Sequence, residues 1–228
     1  SGNATVSGNV SDLNVVSNVN MLHTANTASI KLNSNVVAEF PRSKKLIKYP
    51  RVAMTANSSG GYVASASSTY TNYNPYEAFD NEDPGSTAYW SGSTQVYNTN
   101  GTWGGSTATA YTTNVGGVSK YGEWIQIQLP NKIKYNYSKI KAPTPSTRQP
   151  RDGYILGSND TTGAWTILHR FEDVTRSSLD DLVTYTPPSE STQFFQYFRL
   201  VIETISDGGL LYAGVNTWDL YGVPEYDP

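Results

Sequence analysis

The sequence predicts an all-β chain: a β-sandwich head behind a short β-rich N-terminal segment. Three observations predict it. The stretch Trp124–Leu129 alternates strictly, with Ile125, Ile127 and Leu129 on one side and Trp124, Gln126 and Gln128 on the other, the period of a half-buried strand. Short apolar runs at Tyr154–Gly157 and Trp165–Phe171 are separated by turn chemistry, Ser158–Gly163, and preceded by a Pro-rich loop, Pro143–Pro150. The first 40 residues carry only Asp12, Lys31 and Glu39 as charges, and their β-branched residues recur nearer every second position than every 3.6.

In chain order, the N-terminal segment places Val6, Val10, Leu13, Val15, Val19, Leu22, Ile30, Leu32, Val36 and Phe40 among small polar residues. LNVVSNVNML and IKLNSNVVAEF are weakly alike, as in a degenerate repeat. Such a segment cannot bury its valines alone. It packs on the head, or intertwines with copies of itself, with Val15, Val19, Leu32 and Val36 forming the seam of a homotrimer, or is a disordered linker, against which its aliphatic content argues. The division falls between residues 1–48 and 49–228. Across it runs PRSKKLIKYPR, with Arg42, Lys44, Lys45, Lys48 and Arg51, which reads first as a solvated connector and second as a patch for an anionic partner. The head then opens with a strand, a Gly-rich turn and another strand in VAMTANSSGGYVASASS. Trp124–Leu129 should end at Pro130 and Asn131, and His169 should alternate with the packing residues Ile167 and Phe171.

The insertion Ser91–Lys120 is too long for a plain connection and predicts a functional loop or an extra hairpin. It carries Tyr97, Trp103 and Tyr111 among Asn, Thr and Gly. Aromatic faces stack on the CH groups of a pyranose, and amides and hydroxyls meet its hydroxyls. Trp103 reads equally as a plug that fastens the loop onto the sandwich. Arg148 and Arg151 lie in PTPSTRQPRDG, and Leu210, Leu211 and Tyr212 in SDGGLLYAGVN. The leucines read first as core.

GEWIQIQL, PRDGYILGSND followed by W-x-x-L, FFQYFRLVI, the terminal WDLYG, and AFD with the distant Trp90 resemble the discoidin, or coagulation factor V/VIII type C, domain. The match runs in order from about Tyr49 to Val223. The resemblance implies an eight-stranded jelly-roll sandwich of the galactose-binding-like class, shared with family 32 carbohydrate-binding modules, whose loops at one end bind glycans, collagen or phospholipid heads. It places Arg148, Arg151, Leu211 and Tyr212 on ligand-face loops, to which the insertion's own aromatics add Tyr97, Trp103 and Tyr111; Arg151 is more often paired to a carboxylate in the family, and exposed apolar tips such as Leu210 and Leu211 enter lipid in its membrane-binding members. It also implies structural calcium in the loop that follows AFD, with Ala78, Asp80, Asp83, Thr87 and Thr217 as the ligand set. Asp80 matches the family's ligand Asp. The step from it to Trp90 is lengthened by NEDPGSTAY, where Asp83 adds an oxygen, and Thr217 stands where the family often has Glu, a weaker ligand. TVSGNVSDLNVVSNVNM resembles, in composition, the β-structured shafts of tail fibres and of virion proteins from large algal viruses.

Composition sets the limits. Charged residues make up 15% of 228, with net charge −3 and pI near 5.4, against a nucleic-acid partner. There is no cysteine, so disulfide, thiol and Cys-zinc chemistry are excluded. No apolar run reaches transmembrane length. No G-x-S-x-G, H-E-x-x-H or phosphate loop appears. His23 lies in the N-terminal segment, and Asp180 and Asp181 are adjacent rather than facing. The expectation is a non-enzymatic, carbohydrate-binding attachment module at the tip of a viral or phage fibre or on a virion surface, trimeric through residues 1–48. Alternatives are a lectin or carbohydrate-binding module of a larger extracellular protein, or a structural capsid or appendage protein.

Overall fold

The computed structural model describes residues 29–32, 35–39, 45–81, 88–93, 95–106, 108–143, 148–174, 182–206 and 211–225. The chain divides into two compact units, Ser1–Ser43 and Lys44–Pro228. In the first, β1 (Ser29–Leu32) and β2 (Asn35–Glu39) pair antiparallel with a bulge between Ile30 and Lys31. Val15, Val19 and His23 lie outside the described residues, as do Asp83, Thr87, Asp180, Asp181 and Leu210.

The second unit is an all-β sandwich. Its strands are β3 (Ile47–Tyr49), β4 (Ser58–Ser59), β5 (Tyr62–Ala66), β6 (Trp90–Ser91), β7 (Thr112–Val115), β8 (Val118–Tyr121), β9 (Glu123–Lys141), β10 (Pro150–Ser158), β11 (Thr166–Phe171), β12 (Leu182–Tyr185), β13 (Phe195–Ile205), β14 (Gly214–Val215) and β15 (Thr217–Pro224). β3 pairs with β15, so the basic connector enters the sheet at Ile47, and Lys48 forms a 3.0 Å ion pair with Asp219.

β9 is the hub. The expected stop at Pro130 is absent, and the strand runs 19 residues. Its first half pairs with β5 as far as Gln128 and with β13, whose register skips from Gln128 to Ile133, and its second half pairs with β15 from Ile133 and with β12. Pro130 and Asn131 sit exposed at the change of partner, where a missing N–H interrupts no ladder bond. One strand thereby serves both layers.

The period of two then sorts the side chains. Ile125, Ile127 and Leu129 of β9, Phe198, Leu200 and Ile202 of β13, and Trp218 and Leu220 of β15 fill the main core, all fully buried. The opposite face of β9, β10 and β13 is apolar too. Val115, Tyr154, Leu156, Trp165 and Val201 form a second cluster there, with Trp124 and Tyr197 at its edge. The insertion supplies the hairpin β7–β8 that covers this face, turning at Gly116 and Gly117, whose positive φ of 57° and 90° suits a two-residue hairpin loop. Val115 bridges to Trp165, and the Trp165 N–H donates to the Asn114 carbonyl at 2.8 Å. The expected alternation at His169 is corrected. A bulge between Ile155 and Leu156 shifts the register, so Ile167 is 47% exposed while Leu168 and Phe171 are buried. His169 is half-buried against Tyr185.

Candidate functional site

Four stretches meet at one end of the sandwich: residues 67–74 after β5, the segment around β6, the turn leading into β10, and the segment 211–216 that carries β14. β6 and β14 pair, with Ser91↔Gly214 and Trp90↔Val215. The Tyr70 N–H donates to the Ser91 carbonyl at 2.9 Å and the Gly92 N–H to the Ala213 carbonyl at 3.0 Å. The Trp90 indole N–H donates to the Ser68 carbonyl at 3.0 Å. These bonds bring four tyrosines together.

Tyr70 stacks on Tyr73 with centroids 6.0 Å apart and on Tyr212 at 5.9 Å, with interplanar angles of 22° and 13°. Tyr73 contacts Tyr89 at 4.6 Å. Arg148 lies across the group, its guanidinium 4.4 Å from the Tyr212 ring centre and 5.6 Å from that of Tyr89. Nη1 donates to the Tyr89 hydroxyl at 2.6 Å and Nη2 to the Tyr212 hydroxyl at 3.0 Å. Burial, more than any neighbour, pushes the Tyr89 phenol up to about 12, so it stays a neutral O–H at physiological pH. A phenol that accepts from Arg148 keeps its own proton as a donor. The tier runs from buried Tyr89 outward to Tyr70, which is 42% exposed.

The candidates read from the sequence divide accordingly. Tyr212 and Arg148 are in this group, and half-buried Leu211 flanks it. Arg148 is itself buried and serves as the post on which the rings are arranged. Arg151 stands apart, its Nε 3.3 Å from Asp152 Oδ2. Tyr97 as a sugar platform is corrected. It is a core residue whose hydroxyl donates to the Ile202 carbonyl at 2.7 Å and accepts from the Glu123 N–H at 3.2 Å. Trp103 and Tyr111 are half-buried on that core. Trp103 meets Tyr97 edge-on at 5.3 Å and Tyr111 at 5.6 Å, and its indole N–H donates to the Ser106 carbonyl. These rings fasten the insertion to the sandwich, which is the plug reading.

Sequence reasoning missed Tyr70, Tyr73 and Tyr89. For Tyr70 and Tyr73 a signal was present: tyrosines crowd into the uncharged loop TYTNYNPY, more than a turn needs. It also missed Glu123, for which there is no signal, because an acid at the start of a strand reads as solvent-facing.

Of the calcium set, Ala78 is buried at the end of the short 3₁₀ turn Pro75–Phe79, and Asp80 caps it. The Thr217 hydroxyl donates to the Asn216 amide oxygen at 3.1 Å. Glu77, nearby, is spent on the Tyr89 N–H at 3.2 Å and the Asn74 amide at 3.4 Å. Among the described residues no group of three acidic or histidine side chains converges, and of the two predicted carboxylates only Asp80 is among those residues.

No family model matches the sequence, and no curated protein matches it. Solved structures do. The module CBM32-3 of a family 31 glycoside hydrolase from Clostridium perfringens superposes with a TM-score of 0.48 at 19% identity, covering 72% of this chain and 93% of the module. The family 32 module of NanJ from the same organism, in complex with galactose, gives 0.45 at 13%, covering 71% and 93%. A family 32 module of its family 89 glycoside hydrolase, in complex with GalNAc-β-1,3-galactose, gives 0.48 at 12%, covering 71% and 95%.

Proposed function

We propose that the head is a carbohydrate-binding module whose ligand lies against Tyr70 and Tyr212. The observation that supports this reading is the tier of near-parallel tyrosines graded from core to surface and held by a buried arginine. A sugar ring presents CH faces to such rings, and the Tyr212 hydroxyl offers a donor to its oxygens. Glycan-array binding of the full chain tests it, with galactose- and GalNAc-terminated glycans among the probes. Tyr70→Ala should weaken binding by about 1–3 kcal/mol, the loss of one buried aromatic wall, with the melt nearly unchanged because Tyr70 is 42% exposed. Wild-type binding by this variant would move the site away from the tier.

The finer reading is an attachment module, on a virion surface or in the extracellular space, at the tip of a viral or phage fibre recognising host glycan. It is supported by the β1–β2 hairpin and by the Val- and Asn-rich style of residues 1–40. Trimerisation through that segment would multiply weak single sites. Light scattering of the full chain should then give about three times the 24.9 kDa monomer, and a monomer at micromolar concentration would remove the fibre reading. Structural calcium belongs to the same proposal, with Ala78, Asp80, Asp83, Thr87 and Thr217 as the ligand set that the resemblance implies. Chelator should lower the melting temperature, by the loss of about 2.7 kcal/mol if calcium stands at a hundredfold excess over its Kd, and Asp80→Ala should abolish the response. An identical melt with and without chelator removes the metal. Among the described residues no helix is long and apolar enough to cross a membrane.

A further inference from the structure

A buried carboxylate lies directly behind the tyrosine tier. Glu123, the first residue of β9, is fully buried and forms no ion pair among the described residues. Oε1 accepts the Ser68 hydroxyl at 2.8 Å, and Oε2 accepts the Ala213 N–H at 2.7 Å. Ser68 Oγ in turn accepts the Ser93 N–H at 2.9 Å. Gly92 leaves the space the carboxylate fills, since a Cβ there would overlap both of its oxygens. One side chain thus touches all three segments that carry or brace the exposed rings: Ser68 is two residues from Tyr70, Ala213 adjoins Tyr212, and Gly92–Ser93 lies between them.

A carboxylate buried without a cation is an expensive way to join loops, when an amide or a packed apolar residue would do so at less cost. We propose that Glu123 is a positioning residue for the glycan site, fastening these three segments so that Tyr70 and Tyr212 stand face to face. The inference rests on reading the tier as the binding site, and it gives that site a dependence on pH. Burial pushes the Glu123 carboxyl up to about 7, opposed by the bonds from Ala213 and Ser68. The ionised form holds Ser68 and Ala213 by charge-assisted hydrogen bonds, roughly twice as strong as neutral ones. From the other elements packed around it, the titratable neighbour is the Tyr97 phenol, with Tyr111 and Glu203 beyond. Burial keeps Tyr97 neutral, well above the usual phenol range. β13 presents Ile202 opposite Glu123.

The experiment is an NMR titration of the full chain from pH 5 to 9, following the Ala213 amide and the Tyr70 and Tyr212 ring protons, in wild type, Glu123→Gln and Ser68→Ala. In wild type the amide and both rings should shift together with a midpoint near 7. Glu123→Gln should abolish the transition, and Ser68→Ala, which keeps the carboxyl, should retain it with displaced rings. Binding to immobilised galactose-terminated glycan should tighten about fivefold from pH 6 to 8 in wild type and stay flat in Glu123→Gln. An Ala213 amide that does not titrate, or one that titrates while the rings stay still, overturns the proposal. If the rings follow the amide but wild type binds no glycan at any pH, positioning of the rings stands and the carbohydrate reading falls.

Discussion

Glu123→Gln should melt well above the wild type at pH 8 and near it at pH 5. In the unfolded chain this carboxyl ionises near 4.5, and in the native head near 7. Between those values the native state holds a proton that the unfolded state has released, so stability falls as pH rises through the window and is fully restored only below it. The total is about 3 kcal/mol at pH 8, roughly 6–12 °C in Tm for a head of this size. Glutamine keeps the shape, donates to Ser68 Oγ, accepts from Ala213 and carries no charge to desolvate. Melting curves at unit steps from pH 5 to 8 check it. A difference between variant and wild type that is the same at every pH would mean that Glu123 does not titrate in the native head. The variant that stabilises the fold is the one that should blunt the site, as when function keeps a group that stability alone would discard.

Arg199→Ala should cost the head about 3–5 kcal/mol. Arg199 is buried on the outer face of β13, its guanidinium 3.9 Å from the Trp124 ring centre and 4.3 Å from that of Trp165. Nε and Nη2 donate to Gln126 Oε1 at 3.1 and 2.7 Å, and Nη1 donates to Thr113 Oγ1 at 2.9 Å. No carboxylate pairs with it among the described residues. Burial lowers it to about 10, which leaves it charged at neutral pH, held by the two ring faces and two neutral oxygens. Truncation leaves a cavity between the indoles, an unpaired Gln126 carbonyl and a hairpin that has lost its Thr113 anchor. Chemical denaturation gives the loss, and the near-UV circular dichroism of the tryptophans should change with it. A loss under 1 kcal/mol would show that the hairpin is held by Val115 and Trp165 packing alone.

The strands were legible because each rule that found them is local. Alternation at Ile125, Ile127 and Leu129 needs only a sheet with one buried face, and Asp160 ties its own turn, accepting the Thr162 N–H and hydroxyl at 2.8 Å. The extra hairpin was one of the two readings that the length of the insertion allowed, and the structure turns it at Gly116-Gly117. Arg148 and Tyr212, named from loops far apart in the chain, do meet, with the guanidinium 4.4 Å from the ring centre. Pro130 misled because a proline stops a strand only where its N–H is needed, and that depends on which partner lies beside it.

By itself the sequence determined the fold class, the position of most head strands and the loops between them, because periodicity and turn chemistry act over a few residues. Only the tertiary structure decided which aromatics face solvent. Tyr97 and Tyr70 sit in equally polar, uncharged stretches. One is drawn into the core by the Ile202 carbonyl more than a hundred residues away, and the other is stood at the surface by Ser68, Ala213 and the one carboxylate of Glu123. Contacts between residues so far apart in the chain exist only once β9 has joined the two layers.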